Sequence, residues 1–204
     1  QDALLEPYGG EVLRLSVGAT TSLSGAWALG ALAGFALSAR WLGRGLDSLR
    51  IAGYGVVIGI ASFLLVIFAA PLDSAAALGL GALAIGAGAG LFSVGTLTAA
   101  MALAGSDTAG LALGAWGAVQ TTAAGLAIGL AGGLRDAVSS FAVADGLGAT
   151  LAHRATGYGT IYAIEIALLL ATLVLLGPLV GRAARSHSTT AAGAPRFGLT
   201  EFPT

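Results

Sequence analysis

The chain has 204 residues, of which 56% are hydrophobic and only 9% are charged, and its formal net charge is -1. A soluble domain carries about 25% charged residues, so this composition excludes an ordinary water-exposed surface and indicates an integral membrane protein. The near-neutral balance excludes an electrostatic nucleic-acid interface. The absence of cysteine excludes disulfide frameworks, zinc ribbons and iron–sulfur sites.

The N-terminal segment, residues 1–16, lacks the basic start and the continuous apolar core of a signal peptide. We interpret it as a segment at the end of a helix that belongs to a longer protein. Trimming or processing of a complete protein is the alternative. Gly9 and Gly10 allow a tight turn within this segment.

Five apolar runs are long enough to cross a bilayer, which takes about 20 residues. They cover residues 17–39, 51–70, 75–104, 110–134 and 158–181. The third run is long enough to tilt, or to break at Gly86, Gly88 and Gly90. The sequence therefore predicts an all-α polytopic membrane protein, with a bundle of about five transmembrane helices over residues 17–181.

Two segments outside these runs complete the prediction. Residues 135–157 contain the sequence AVSSFAVADGLGATLA, which is consistent with a short helix lying at the membrane interface. The tail, residues 182–204, is rich in Ser, Thr, Gly and Pro and is predicted to be a loop.

Arginine placement predicts the orientation, because cytoplasmic loops of membrane proteins carry an excess of basic residues. Five spans put the two termini on opposite sides. One side holds Arg40, Arg44, Arg50, Arg182, Arg185 and Arg196, and the other holds Arg14, Arg135 and Arg154. This asymmetry favours a periplasmic N-terminal segment and a cytoplasmic tail.

Pairs of glycines four residues apart place two small residues on one face of a helix, which allows membrane helices to pack closely. Such pairs occur in four of the predicted spans. They are Gly30/Gly34, Gly55/Gly59, Gly110/Gly114, Gly125/Gly129 and Gly177/Gly181.

The loop after the first run, GFALSARWLGRGLDSLR, contains Gly34, Arg40, Gly43 and Arg44 in a short basic turn. It resembles a degenerate form of the major facilitator signature, in which Gly is followed by Asp-Arg and then Gly-Arg. Ala39 stands at the acidic position, so the usual carboxylate is missing. The arginines either act as a latch on helix C-termini and nearby carboxylates, or only mark the cytoplasmic side.

Longer blocks carry a more specific resemblance, and together they extend over essentially the whole chain. They are QDALLEPYGGEVLRLSVGATT, GFALSARWLGRG, GTLTAAMALAG, GLALGAWGAVQTTAAGLAIGLAGGLRD, ATGYGTIYAIEIALLLATLVLLGPLV and FGLTEFP. These blocks resemble the PucC/LhaA family, major-facilitator-like proteins of purple phototrophic bacteria that are linked to light-harvesting complex assembly and bacteriochlorophyll handling. The resemblance implies that this chain is the C-terminal half of a longer protein, with an N-terminal half missing.

The resemblance implies a non-enzymatic assembly factor in the bacterial inner membrane, cytoplasmic or intracytoplasmic. It would bind or deliver bacteriochlorophyll as cargo while light-harvesting antenna polypeptides insert. One alternative is a major-facilitator-type transporter or flippase of a small amphipathic substrate. Another is a structural helix bundle attached to a photosynthetic complex. The sequence contains no Ser-His-Asp set, metal cluster or phosphate loop, so we expect no enzymatic activity.

Polar groups within the predicted spans are candidate pigment ligands. Glu165 lies in the last span, where an ionisable group is costly and marks a functional candidate. The alternative is a protonated carboxyl bonded to a neighbouring helix. Gln120 lies in the fourth span and either bonds across helices or contacts a pigment carbonyl or magnesium.

Three further residues complete the candidate set. His153 precedes the last span and is either an axial ligand of a tetrapyrrole metal or simply solvated. Trp27 and Trp116 can stack on a flat ring, with ordinary packing as the alternative.

The predicted orientation can be tested with single cysteines, because the chain has none of its own. Cysteines at Ser106 and Ser188 should be shielded from a membrane-impermeant thiol reagent added outside the cell. A cysteine at Ser139 should be labelled. The opposite labelling pattern would refute the orientation.

Overall fold

The computed structural model describes residues 4–104, 106–143 and 155–193, and all regular structure in these residues is helical. The helices are α1 (Leu5–Glu11), α2 (Val17–Leu42), α3 (Ser48–Ala69), α4 (Ala75–Leu103), α5 (Ala109–Val143) and α6 (Ala155–Gly193). A single 3₁₀ turn, Ser106–Thr108, precedes α5. The predicted all-α class is confirmed.

Within the residues that the structure describes, five helices are long and apolar enough to cross a membrane, which confirms the predicted number of spans. The candidate spans are Val17–Leu42, Ser48–Ala69, Ala75–Leu103, Ala109–Val138 and Gly157–Val180. Each overlaps one of the apolar runs in the sequence. The chain is therefore a polytopic helical membrane protein.

Short polar residues define where the spans begin. Ser16, Asp47 and Ser74 are the N-caps of α2, α3 and α4, and each side chain accepts hydrogen bonds from backbone N–H groups of the first turn.

The C-terminal ends of α2 and α3 are closed by residues in the left-handed conformation. Gly45 and Asp73 adopt positive φ angles of 81° and 44° shortly after α2 and α3. At both positions the backbone closes the helix end with the paired hydrogen bonds typical of a left-handed C-terminal residue.

Helix α4 is the centre of the bundle. It packs against α2 on one side and α3 on the other, and these are the two most extensive contacts in the described chain. Helix α6 packs against α3, and α5 packs against α6 and, less extensively, against α4. Every residue from position 121 to position 130 of α5 is exposed, so α5 is the least buried span.

Glycines bring the backbones of α2 and α4 into direct contact. A Cβ atom added to Gly30 would lie 1.9 Å from the carbonyl oxygen of Leu83, and one added to Gly86 would lie 2.0 Å from the carbonyl oxygen of Trp27. No side chain fits at such separations. The α2–α4 distance is therefore fixed by the absence of side chains at these positions.

The α3–α4 contact follows the same rule. Cβ atoms added to Gly55 and Gly88 would lie 2.5 and 2.8 Å from each other's carbonyl oxygens across the interface. On Gly95 an added Cβ atom would lie 2.6 Å from the carbonyl oxygen of Ser48. The glycine pairs predicted on α2 and α3 do face neighbouring helices.

Other predicted glycine pairs do not pack within the described chain. A Cβ atom added to any of five of these glycines would have no neighbouring atom within 4 Å; they are Gly110, Gly114, Gly125, Gly129 and Gly177. A four-residue spacing therefore identifies a small-residue face but not whether that face has a partner in the same chain.

Two irregularities considered for residues 1–104 do not occur, namely the break in the third apolar run and the tight turn at Gly9 and Gly10. Helix α4 is unbroken through Gly86, Gly88 and Gly90, because neighbouring backbones support it on both sides. Gly9 and Gly10 lie inside α1 instead of forming a tight turn. The chain turns only after Glu11, and α1 buries Leu5 and Tyr8 against the bundle.

Two predicted ends in the C-terminal half were also wrong. Helix α5 continues to Val143, so residues 137–143 continue this helix, whose candidate span ends at Val138, and do not begin a separate interfacial helix. The rest of that predicted helix lies outside the described residues. Helix α6 continues to Gly193, so residues 182–193 are helical and not a loop. Ser and Thr in the extension are compatible with a helix, since their propensities are only modestly below that of Ala.

The close approach of α2 and α4 predicts opposite effects for two glycines of α4. Gly86→Ala places a methyl group against the Trp27 carbonyl and should destabilise the fold by about 1–3 kcal/mol or more. Gly79→Ala meets open space and should be neutral or stabilising, since Ala favours helix over Gly by up to about 1 kcal/mol. Thermal unfolding in detergent, followed by circular dichroism, measures both. Equal loss of stability in the two variants would contradict the packing argument.

Candidate functional site

A cavity of about 430 Å³ lies between α3, α4, α5 and α6. This volume is within the range of small-molecule sites, about 300–1,000 Å³. Most of the lining is apolar. The lining residues are Gly55, Val56, Gly59, Phe63, Ile85, Gly88, Ala89, Phe92, Ser93, Gln120, Ala123, Ala124, Ala127, Ile128, Glu165, Leu168, Leu169 and Thr172.

The space exists because helical periodicity aligns small residues on the facing surfaces. On α5, Gln120 shares one face with Ala123, Ala124 and Ala127, at spacings of three, four and seven residues. On α3 and α4, the lining includes three glycines, Gly55, Gly59 and Gly88, beside larger apolar side chains such as Phe63 and Phe92. The methyl groups of alanine are too short to fill the gap between α5 and the other helices.

Four polar side chains from three helices line this otherwise apolar cavity, and its two hydroxyl groups are those of Ser93 on α4 and Thr172 on α6. Glu165 lies on α6, on the same face as Leu168, Leu169 and Thr172, and Gln120 faces the same space from α5. The hydroxyl of Thr172 donates to the carbonyl of Leu168 at 2.8 Å, so its proton is used within its own helix. Gln120 and Glu165 therefore supply the amide and carboxyl groups of the site.

The other predicted pigment residues lie elsewhere. Trp116 precedes Gln120 by one helical turn but does not line the cavity, and its Nε1 donates to Thr96 Oγ1 at 3.2 Å. Trp27 lies on α2 and packs against the main hydrophobic core cluster. His153 lies outside the described residues.

An aromatic cluster, which the sequence analysis did not identify, joins α1, α3 and α6. The ring of Tyr8 meets the rings of Tyr158 and Tyr162 edge-on, with centroids 5.3 and 5.6 Å apart. Phe63 stacks on Tyr162 at 5.7 Å. The Tyr8 hydroxyl donates to the carbonyl of Val66 at 3.2 Å, and burial raises the pKa of this phenol. The cluster anchors the N-terminal helix to the bundle.

Arg135 connects this cluster to α5. Its Nη1 donates to the Tyr158 hydroxyl at 2.7 Å, and its guanidinium lies 5.0 Å from the centroid of that ring. The same Nη1 is 3.7 Å from a carboxylate oxygen of Glu11, and Nη2 pairs with Asp136. Arg135 therefore ties α1, α5 and α6 together. Its position near the end of a predicted span was visible in the sequence, but its partners are far away along the chain.

The arginines of the basic loop between α2 and α3 make no latch contacts with the described residues. Arg40, Arg44 and Arg50 are exposed, and their side chains form no ion pair or hydrogen bond with the part of the chain that the structure describes. Gly34, the first residue of the motif, packs instead against the backbone of α4. Gly43 follows the last residue of α2 as its C-cap.

Comparison with known proteins identifies clear relatives. The family model described as "PUCC protein" matches residues 1–184. An uncharacterized protein in the puhA-bchM intergenic region of Rhodobacter capsulatus is 48% identical over 204 residues, which are 100% of this chain and 43% of that protein. Protein PucC of Cereibacter sphaeroides is 44% identical over 179 residues, covering 88% of this chain and 38% of that protein.

A second protein named PucC, from Rhodovulum sulfidophilum, is 53% identical over 121 residues, covering 59% of this chain and 27% of that protein. The chain thus spans less than half the length of each of these relatives. No solved structure matches the chain.

The contacts of Arg135 predict that Arg135→Gln loosens α1. The substitution removes the ion pair to Glu11 and the charge-assisted bond to Tyr158, at a cost of about 1–2 kcal/mol, since hydrogen bonds to charged groups contribute about 1.5–3 kcal/mol and exposed ion pairs less. Hydrogen exchange of the α1 amides should accelerate. Arg14→Gln is the matched control, because Arg14 is exposed and forms no ion pair with the described residues. Unchanged α1 exchange in Arg135→Gln would show that the aromatic cluster alone holds this helix.

Proposed function

The chain belongs to the PucC protein family, and on that premise we propose that it is part of a membrane assembly factor for bacterial light-harvesting antenna complexes. The protein binds or delivers bacteriochlorophyll while antenna polypeptides insert, and it catalyses no reaction. Its location is the bacterial inner membrane, cytoplasmic or intracytoplasmic. Its partners are lipid, antenna polypeptides and the rest of a longer protein.

The observation that supports pigment handling most directly is the cavity that contains Gln120 and Glu165. An apolar cavity with a few convergent polar groups is the usual form of a small-molecule site in a helix bundle. Magnesium prefers oxygen ligands, and both side chains offer them. The amide N–H of Gln120 can also donate to a ring carbonyl.

A role in delivery favours weak oxygen ligands, such as those of Gln120 and Glu165, over a ligand that binds magnesium strongly. A cargo that must be passed on needs a site from which it can dissociate. A single amide or carboxyl oxygen is a weaker attachment for magnesium than a cage of several charged ligands. The exposed α5 wall supports entry and release of pigment at the edge of the cavity, because α5 packs less extensively than the other spans.

The exposure of α5 also supports docking of antenna helices. Leu111, Val119, Leu126 and Leu130 are each at least 62% exposed on this span. The glycines of α5 also have open space around them. A surface that combines large apolar and small residues suits packing against another transmembrane helix.

A transporter or flippase of a small amphipathic substrate is the second candidate. The polar groups in a cavity between spans favour it, since substrate sites of transporters lie between helices near the membrane midplane. Reconstitution of the longer protein separates the candidates. Substrate-dependent transport into proteoliposomes supports the transporter, and copurification of pigment and antenna polypeptides supports the assembly factor.

The pigment proposal predicts which variants lose cargo. Gln120→Leu and Glu165→Leu in the longer protein should each reduce copurified bacteriochlorophyll several-fold, because each removes a polar contact worth about 1 kcal/mol or more. The absorption spectrum of gently purified protein measures the loss. His153→Leu should have a smaller effect. Thr172→Val is the matched control, since this hydroxyl lines the same cavity but bonds its own helix.

Membrane-inserted protein is quantified in parallel for every variant. Full pigment retention together with reduced folded yield would identify Gln120 and Glu165 as structural contacts between helices. The pigment site would then lie elsewhere in the longer protein or at its contact with an antenna partner.

A further inference from the structure

The basic loop carries positive charge that the protein does not neutralise. Arg40, Arg44 and Arg50 lie within eleven consecutive positions around the turn at Gly45. All three are exposed, and none has a side-chain partner in the described chain. The nearby carboxylate of Asp47 accepts the backbone N–H groups of Leu49 and Arg50 on its Oδ1 at 3.0 Å and offsets one of the three positive charges, so the loop keeps an excess of positive charge.

The loop lies at the boundary of two spans. The candidate span of α2 ends at Leu42 and that of α3 begins at Ser48, so each of the three arginines lies within two residues of a span end, where lipid headgroups are expected. An aromatic pair lies at the same boundary, with the rings of Trp41 and Tyr54 5.6 Å apart at an angle of 68°. Trp and Tyr are enriched at this level because they are apolar with one polar end.

Helical spacing continues this surface towards the membrane interior. On α3, Arg50, Tyr54 and Val57 share one face, at spacings of four and three residues. On α2, Leu37 and Trp41 share a face in the same way. The contact between Trp41 and Tyr54 joins the two faces, and Val57 and Leu37 are exposed beside it. The result is a column with charge at its top, aromatic groups below and apolar side chains beneath.

We propose that this column is a binding site for an anionic phospholipid. Guanidinium groups pair with phosphate through charge-assisted hydrogen bonds. The indole N–H of Trp41 and the hydroxyl of Tyr54 lie at the level of the glycerol and ester groups, and the acyl chains lie against Leu37 and Val57. Basic clusters at the cytoplasmic ends of spans attract anionic lipids in general. The site is separate from the cavity and does not depend on the pigment proposal.

The test uses fluorescence quenching by brominated lipids. A Trp27→Phe/Trp116→Phe background leaves Trp41 as the only tryptophan. Purified protein is titrated with dibrominated phosphatidylglycerol or dibrominated phosphatidylcholine in detergent. We expect the anionic lipid to bind at least about tenfold more tightly, a conservative value for three basic residues near one headgroup. The preference should fall as salt concentration rises.

Charge variants identify the residues responsible. The triple variant Arg40→Gln/Arg44→Gln/Arg50→Gln should bind the two lipids with nearly equal affinity. The corresponding triple Lys variant should keep most of the preference. Arg14→Gln is the matched control, because Arg14 is a single exposed arginine just before α2, and it should bind like the parent. An anionic preference that survives the triple Gln substitution would overturn the proposal.

Two further measurements distinguish a lipid phosphate from a free phosphate and keep the test decisive if a variant does not fold. Excess inorganic phosphate at matched ionic strength should leave quenching by phosphatidylglycerol unchanged. Displacement of the lipid would mean a site for free anions and would overturn the lipid assignment. If the triple Gln variant does not fold, the salt titration of the parent decides, and a preference that does not depend on salt would also overturn the proposal.

Discussion

Backbone contact along α4 is the constraint on which the rest of this bundle depends. Lipid is as apolar as leucine, so burying large side chains contributes little to helix association in a membrane, and close packing must supply the attraction. Gly30 and Gly86 bring α4 against α2, and Gly55 and Gly88 bring it against α3. Backbone atoms of α2 and α3 contact α4 on two opposite sides. The distances between these three helices therefore cannot change without displacement of the backbone.

The cavity follows from the same small residues. Gly55 and Gly88 hold α3 to α4 and also line the space that faces α5. One wall is therefore set by the tight α3–α4 contact, while the opposite wall is α5, the most exposed span. The polar group of α5, Gln120, lies on the least extensively packed wall, and Glu165 lies on α6, which packs against α3.

The sequence predicted the spans because hydrophobic length is a local property, and it predicted Gln120 and Glu165 as candidates because polar groups stand out in apolar runs. It could not tell which glycine pairs pack. Gly30/Gly34 and Gly125/Gly129 have the same spacing, yet only the first pair faces a neighbour in the described chain. The sequence also did not reveal the cluster of Tyr8, Tyr158 and Tyr162. Tyr8 lies about 150 residues before the other two and becomes their neighbour only when α1 docks on α6.

The arginines at the two ends of the bundle differ in whether they have partners within the described chain. At the α1 end, Arg135 is partnered by Glu11 and Tyr158, so its charge holds protein segments together. At the other end, the loop charges have no partner within the described chain and remain available to headgroups. That loop leads directly into Ser48, whose carbonyl meets the α4 backbone at Gly95. The loop is therefore joined through backbone contact to α4, which also forms part of the cavity wall.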